Sequence, residues 1–209
     1  SMARWSPIER NLRAIHGPVL AGVDEVGRGP LAGPVVACAL VMPADQRAIA
    51  GVNDSKQLTP DVRRALALRI RERATAIGLG AASVREIDQL NIYHATVLAM
   101  QRALRQLERR LGQTPHHVLV DGKLLRTLGH VHTAVVKGDS KCYGIACASI
   151  VAKVTRDRLM HTLALRYPVY AWERNAGYGT AVHREALAQH GLTAHHRRSF
   201  CLDEQPSLF

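Results

Sequence analysis

Three short apolar runs in this chain each end in an acid, and that repetition restricts the fold more than any other feature. Val19-Leu20-Ala21-Gly22-Val23 leads into Asp24-Glu25, and His117-Val118-Leu119-Val120 leads into Asp121-Gly122. Ala134-Val135-Val136 leads into Lys137-Gly138-Asp139. Short β-prone runs bounded by turn residues read as strands buried on both faces of a sheet. A carboxylate at the end of such a strand is costly unless something cationic meets it. Neighbouring strand ends form the usual ligand crevice of α/β sheets. From the residues alone two arrangements stay open: unrelated acids in solvated turns, or one shared site.

A shared site has a definite chemistry. Two carboxylates about 4 Å apart repel by about 4 kcal/mol at an effective dielectric near 20, so protons or metal ions must neutralise them. Asp24, Glu25, Asp121 and Asp139 offer only hard oxygens, which suit Mg²⁺ or Mn²⁺ better than zinc. Two such ions about 3.5–4 Å apart can activate a water and stabilise a leaving oxygen in phosphodiester hydrolysis. The Gly27-Arg28-Gly29 turn that follows the first pair adds flexible backbone and one guanidinium, suited to a phosphate or a sugar.

Composition narrows the partners. The formal net charge is +11 over 209 residues, which favours polyanions such as nucleic acid. Aromatic residues are only 4%, too few for a platform that stacks single-stranded bases. The longest apolar stretch, Val35 to Met42, is closed by Pro34 and Pro43, far short of the roughly 20 residues that span a bilayer. No membrane segment and no leader are expected, and Ser1 before Met2 reads as a cloning remnant. Cys38, Cys142, Cys147 and Cys201 lack paired zinc spacing. They read as reduced, mostly buried thiols of a cytoplasmic protein.

The chain length allows one sizeable core, or one domain with a small appendage. Strands are expected over Val19–Asp24 and Val35–Met42, with a third over Leu79–Val84. Thr59 should cap a helix with Pro60 at its first position and Ala65, Leu66, Leu68 and Ile70 on its apolar side. Apolar residues at helical spacing from Ile92 to Leu111 predict a longer helix. Gly144, Ala146, Ala148, Ser149, Ala152 and Val154 suggest a helix able to press closely on a sheet. From about Arg158 the chain reads as helical and polar. The fold class is therefore α/β, a mixed β-sheet flanked by helices with a small helical C-terminal appendage.

Six segments in order resemble the motifs of bacterial ribonuclease HII, from about Ala21 to Phe200. They are Asp24-Glu25-Val26-Gly27-Arg28-Gly29, Asn53-Asp54-Ser55-Lys56, Val120-Asp121-Gly122, Val136-Lys137-Gly138-Asp139, the run from Ala148 to Asp157, and Gly177-Tyr178-Gly179-Thr180. The resemblance implies a ribonuclease H-like fold, with a catalytic core over residues 1–157. Residues 158–209 would form a helical region that completes the substrate cleft and ends in a tail. It implies a metal-dependent endonuclease that cuts the RNA strand of RNA–DNA hybrids. The same activity would extend to single ribonucleotides in duplex DNA, cut on their 5′ side to leave 3′-hydroxyl and 5′-phosphate ends. The family's catalytic and metal-binding acids fall on Asp24, Glu25, Asp121 and Asp139, expected to hold two Mn²⁺ or Mg²⁺ ions. Gly27, Arg28 and Gly29 would read the ribose 2′-hydroxyl, the group that separates RNA from DNA. Tyr178 would pack on the following deoxyribose. Two small departures stand out: Gly144 and Cys147 where serine or alanine is usual, and Ala176 where lysine is common.

Weaker signals leave more open. Lys56 is a candidate phosphate contact. Lys153 is either another or the partner of Asp157 one helical turn on. The run His195-His196-Arg197-Arg198 either follows a duplex backbone or forms a solvated turn. Arg4, Arg10 and Arg13, scattered around Glu9, suggest only solubility. Gln205, Leu208 and Phe209 resemble the peptide by which bacterial replication and repair proteins dock on the sliding clamp, or the tail frays. A monomer is expected. Other ribonuclease H-like nucleases, among them ribonuclease HIII, and a basic binding module without catalysis remain as competing readings; the module leaves the four acids unexplained.

Overall fold

The structure, a computed structural model, describes residues 4–201. Five strands form one sheet: β1 (Leu20–Val26), β2 (Val35–Val41), β3 (Ala76–Ala82), β4 (His117–Asp121) and β5 (His132–Val135). Their order is β3-β2-β1-β4-β5. The β1–β2 and β2–β3 pairs are antiparallel, whereas β1–β4 and β4–β5 are parallel. The helices are α1 (Pro7–His16), α2 (Pro60–Arg73), α3 (Val84–Leu90), α4 (Ile92–Leu111), α5 (Tyr143–Arg166), α6 (Trp172–Asn175), α7 (Ala181–His190) and α8 (Arg198–Cys201). This is the mixed, helix-flanked sheet expected from the sequence. None of the described helices is long and apolar enough to cross a membrane.

The sheet is buried on both faces because alternate residues of a strand point opposite ways. Val35, Ala37, Ala39 and Val41 pack with Val97, Met100, Leu104 and Leu107 of α4. Cys38 and Leu40 pack instead with α5 and with Leu66 and Ile70 of α2. The close approach of α5 depends on small residues: a Cβ on Gly22 would stand 2.5 Å from the Gly144 carbonyl carbon. A third cluster joins Met160 and Ala164 of α5 to Tyr170, Trp172, Ala186 and Leu187, and takes in Leu31 and Ala32. Because α5 runs unbroken through residue 157, the sheet and the C-terminal helices share one rod.

Four local expectations change. The third strand lies at Ala76–Ala82 rather than Leu79–Val84, because Ser83 and Glu86 form a capping box that starts α3. On α2 the buried face is Arg63, Leu66, Ala67 and Ile70, while Ala65 and Leu68 are exposed. Arg63 turns inward because its guanidinium donates to the Ser55 and Leu58 carbonyls at 3.0 and 2.9 Å. Asp139 is not at a strand end: β5 stops at Val135, Lys137 adopts φ +56°, and Asp139 sits in a 3₁₀ turn over Gly138–Ser140. The N-terminal residues do more than confer solubility. Ser6 and Glu9 form a capping box for α1, and Arg13 stacks 3.8 Å over Trp5. All four cysteines are buried and unpaired.

Candidate active site

Val23 pairs with Val120, so Asp24 and Asp121 leave two adjacent parallel strands at the same level. The turn after β5 brings in Asp139, whose backbone N–H donates to Asp121 Oδ1 at 3.2 Å. Asp24 Oδ1 accepts the Glu25 N–H at 2.8 Å. These four acids line one cavity of about 240 Å³, together with Lys56, Ser149, Lys153 and Tyr178. Burial, then the charges of Glu25 and Asp121, push the Asp24 carboxyl well above its ordinary pKa. Glu25 is raised mainly by burial, against the opposing pull of Arg28, whose guanidinium stands 3.7 Å away. Asp139 is raised by burial and by Asp121.

The donor set suits a hard divalent cation. Every candidate ligand is a carboxylate oxygen. Glu25 Oε2 is buried with no hydrogen-bond partner, which is costly for a carboxylate unless a cation meets it. The carboxylates border the cavity; among the described residues no three acidic, imidazole or thiol groups close into a finished coordination cage.

Gly27, Arg28 and Gly29 follow Glu25 and Val26 in the chain but are not among the residues that line the cavity; Gly27 is buried, and Arg28 and Gly29 are exposed. Gly27 has φ +89°, and a Cβ there would stand 2.2 Å from Arg156 Nε, so the turn needs glycine both for its backbone and for space. Two fully buried arginines hold this loop from behind. Arg156 donates to the carbonyls of Pro34, Ala176 and Ala32 at 2.8, 2.6 and 2.9 Å. Arg197 donates to those of Gly33, Arg28 and Gly27 at 2.9, 2.9 and 2.5 Å. Burial lowers their pKa values to about 10 and about 9. With each guanidinium spread over three carbonyls, the loop is fixed by charge-assisted hydrogen bonds. The ring of Tyr178 lies close to Gly29: a Cβ there would stand 3.3 Å from a ring carbon.

A sequence profile of the family described as Ribonuclease HII matches residues 21–203. The chain belongs to the ribonuclease HII family. It is 54% identical over 189 residues to a ribonuclease HII of Thermosynechococcus vestitus, covering 90% of this chain and 86% of that protein. Against a ribonuclease HII of Granulibacter bethesdensis the identity is 53% over 193 residues, again 90% and 86%. Among solved structures it resembles the ribonuclease H2 of Pyrococcus horikoshii, with a TM-score of 0.71 at 28% identity over 86% of this chain and 92% of that one. A second is the RNase HII of Archaeoglobus fulgidus, solved in complex with PCNA, with a TM-score of 0.67 at 25% identity over 86% and 93%. As a member of that family the protein is a metal-dependent endonuclease that acts on RNA–DNA hybrids.

The remaining candidates fall out unevenly. Lys153 donates to Asp157 at 2.9 Å, as the helical spacing predicts, and also lines the cavity. Lys56 sits on a turn held by Asp54, which accepts its N–H at 3.0 Å, and Ser55 meets Ser149 of α5 at 2.9 Å. Beyond Lys153 a larger groove of about 470 Å³ is bordered by Arg63, Arg64, Arg158, His161 and Arg174. Neither reading of His195–Arg198 survives for its middle: His196 and Arg197 are 1% and 0% exposed. That Arg156, Arg197, His183 and His196 turn inward is not legible in the sequence, because nothing local marks a polar side chain that finds its partners across the fold. Gln205, Leu208 and Phe209 lie outside the described residues.

Proposed function

We propose that this protein cuts the RNA strand of hybrids and also incises duplex DNA on the 5′ side of single embedded ribonucleotides, leaving 3′-hydroxyl and 5′-phosphate ends. The observation that carries this reading is the shared cavity of Asp24, Glu25, Asp121 and Asp139, with an unpartnered Glu25 Oε2 at its wall. In this reading the four carboxylates hold two divalent ions, Mn²⁺ or Mg²⁺. Such ions supply a water nucleophile at neutral pH and neutralise the leaving 3′ oxygen. The chain's own groups select the substrate. Gly27, Arg28 and Gly29, stiffened by Arg197, meet the ribose 2′-hydroxyl, and Tyr178 packs on the next deoxyribose. Lys56 and Lys153 approach phosphates, and residues 158–209 complete the cleft beside the core of residues 1–157.

The deciding experiment incubates the protein with a DNA duplex containing one ribonucleotide, in Mn²⁺, Mg²⁺ or EDTA. A metal-dependent cut 5′ to that ribonucleotide is expected. Binding without cleavage in every condition would reduce the protein to a basic nucleic-acid-binding module.

The reading extends to ribonucleotide removal during replication and repair by a cytoplasmic monomer. There Gln205, Leu208 and Phe209 dock on the sliding clamp, a role supported by the Archaeoglobus fulgidus complex with PCNA. Deleting residues 205–209 should abolish clamp binding and spare cleavage of short duplexes; unchanged clamp affinity rejects the docking role.

A further inference from the structure

Tyr178 and the Gly27–Gly29 turn come from distant parts of the chain, yet they are locked together. The Leu31 N–H donates to the Gly177 carbonyl, the Gly33 N–H to His195, and the Arg197 N–H to Leu31, each at 2.8 Å. Behind Tyr178 runs a buried chain of imidazoles. The Thr193 backbone N–H donates to His196 Nδ1 at 2.9 Å. A backbone N–H can only donate, so Nδ1 is an acceptor and the proton of neutral His196 sits on Nε2. That Nε2 lies 2.9 Å from His183 Nε2, which therefore accepts, also facing the Trp172 indole N–H at 3.3 Å. The remaining proton of His183 is on Nδ1, which donates to the Tyr178 carbonyl at 2.9 Å. His183 is 0% exposed, and the rings of Tyr170 and Trp172 enclose the pair.

Only one direction of hydrogen bonding satisfies this chain, and it ends on the backbone of the residue whose ring lies close to Gly29. A site needing only bulk would be filled at less cost by an apolar side chain, since buried polar networks are stabilising only when every member is satisfied. We infer that His183 is a positioning residue: oriented by His196, it sets how Tyr178 stands beside the Gly27–Gly29 turn and thereby tunes preference for an RNA-to-DNA junction. This rests on the reading of Tyr178 as the group that packs on the deoxyribose after the ribonucleotide.

The test uses His183→Asn and His183→Gln in the full chain. The Asn amide occupies the place of Nδ1 and keeps a donor for the Tyr178 carbonyl. The Gln amide reaches the Nε2 position and leaves that carbonyl without one. The readout is the ratio of kcat/KM on a duplex with a single ribonucleotide to kcat/KM on a continuous RNA–DNA hybrid, with thermal midpoints measured alongside. Loss of one hydrogen bond corresponds to up to about a tenfold change, so His183→Gln should lower the ratio by about that factor. His183→Asn should stay within about twofold of wild type.

Equal ratios in the two variants, or a ratio held constant while both activities fall together, would overturn the inference. Should His183→Gln fail to fold, His196→Asn takes its place. It keeps the acceptor for Thr193, removes the donor to His183, and should lower the same ratio. Tyr178→Ala run in parallel separates the two levels: an unchanged ratio there sinks the junction-sensing role itself. A lowered ratio there, with His183→Gln unchanged, sinks only the part assigned to His183.

Discussion

Glu9 Oε2 accepts the backbone N–H of Gly144 at 2.9 Å, closing a gap of 135 residues. The other carboxylate oxygen accepts the Tyr143 N–H at 2.8 Å and bonds to Ser6. One buried acid thus caps two helices, its own and the long α5 whose start follows the turn carrying Asp139. An anion at a helix N-terminus meets both the unpaired N–H groups and the positive end of the dipole. Glu9→Gln should lower unfolding free energy by about 1–3 kcal/mol, seen as a drop of several degrees in thermal midpoint. Per-molecule cleavage should persist, because Glu9 touches no residue of the cavity wall. An unchanged midpoint would show that the cap contributes nothing.

Asp24 is buried among like charges, so neutralising it has opposite effects without and with metal. Without divalent ions, Asp24→Asn should melt at or above the wild-type temperature, since one repulsion is gone. The upward shift of midpoint on adding Mn²⁺ or Mg²⁺ should shrink. Cleavage should fall by more than about a hundredfold, since even partners one shell out from a metal carry about ten- to a hundredfold. Full activity with an undiminished metal shift would remove Asp24 from the site.

Burial, then the nearby His183 and His195, lowers the pKa of His196 from its usual 6.5 to about 4. Protons therefore bind the unfolded chain first as pH falls, and the stability that His196 contributes as a neutral ring is complete above about 6.5. It is lost progressively between about 6.5 and 4 as pH falls. Denaturant titrations across that window should show a shallower acid loss for His196→Gln than for wild type. Identical slopes would mean that the ring is free to protonate in the folded protein.

Much of the local order is readable from the chain. Helix α4 falls at Ile92–Leu111 as its apolar spacing predicts, and Thr59-Pro60 starts α2. The Ser6-Pro7-Ile8-Glu9 capping signature of α1 is equally present in the chain, beside arginines that by themselves suggest only solubility. The shift of β3 follows from Ala76–Ala82 itself, where alanines and glycines carry almost no hydrophobic period.

By itself the sequence determined the acids, their oxygen-only chemistry, the glycine turn and the strands that deliver Asp24 and Asp121. Such properties depend on residue type and near neighbours. Only the tertiary structure decided that β4 lies parallel beside β1, that Asp139 arrives on a turn rather than a strand, and that Arg156, Arg197, His183 and His196 go inside. A cation or an imidazole is buried only when carbonyls and ring nitrogens from remote segments satisfy its hydrogen bonds. No stretch of chain around those residues announces that they will.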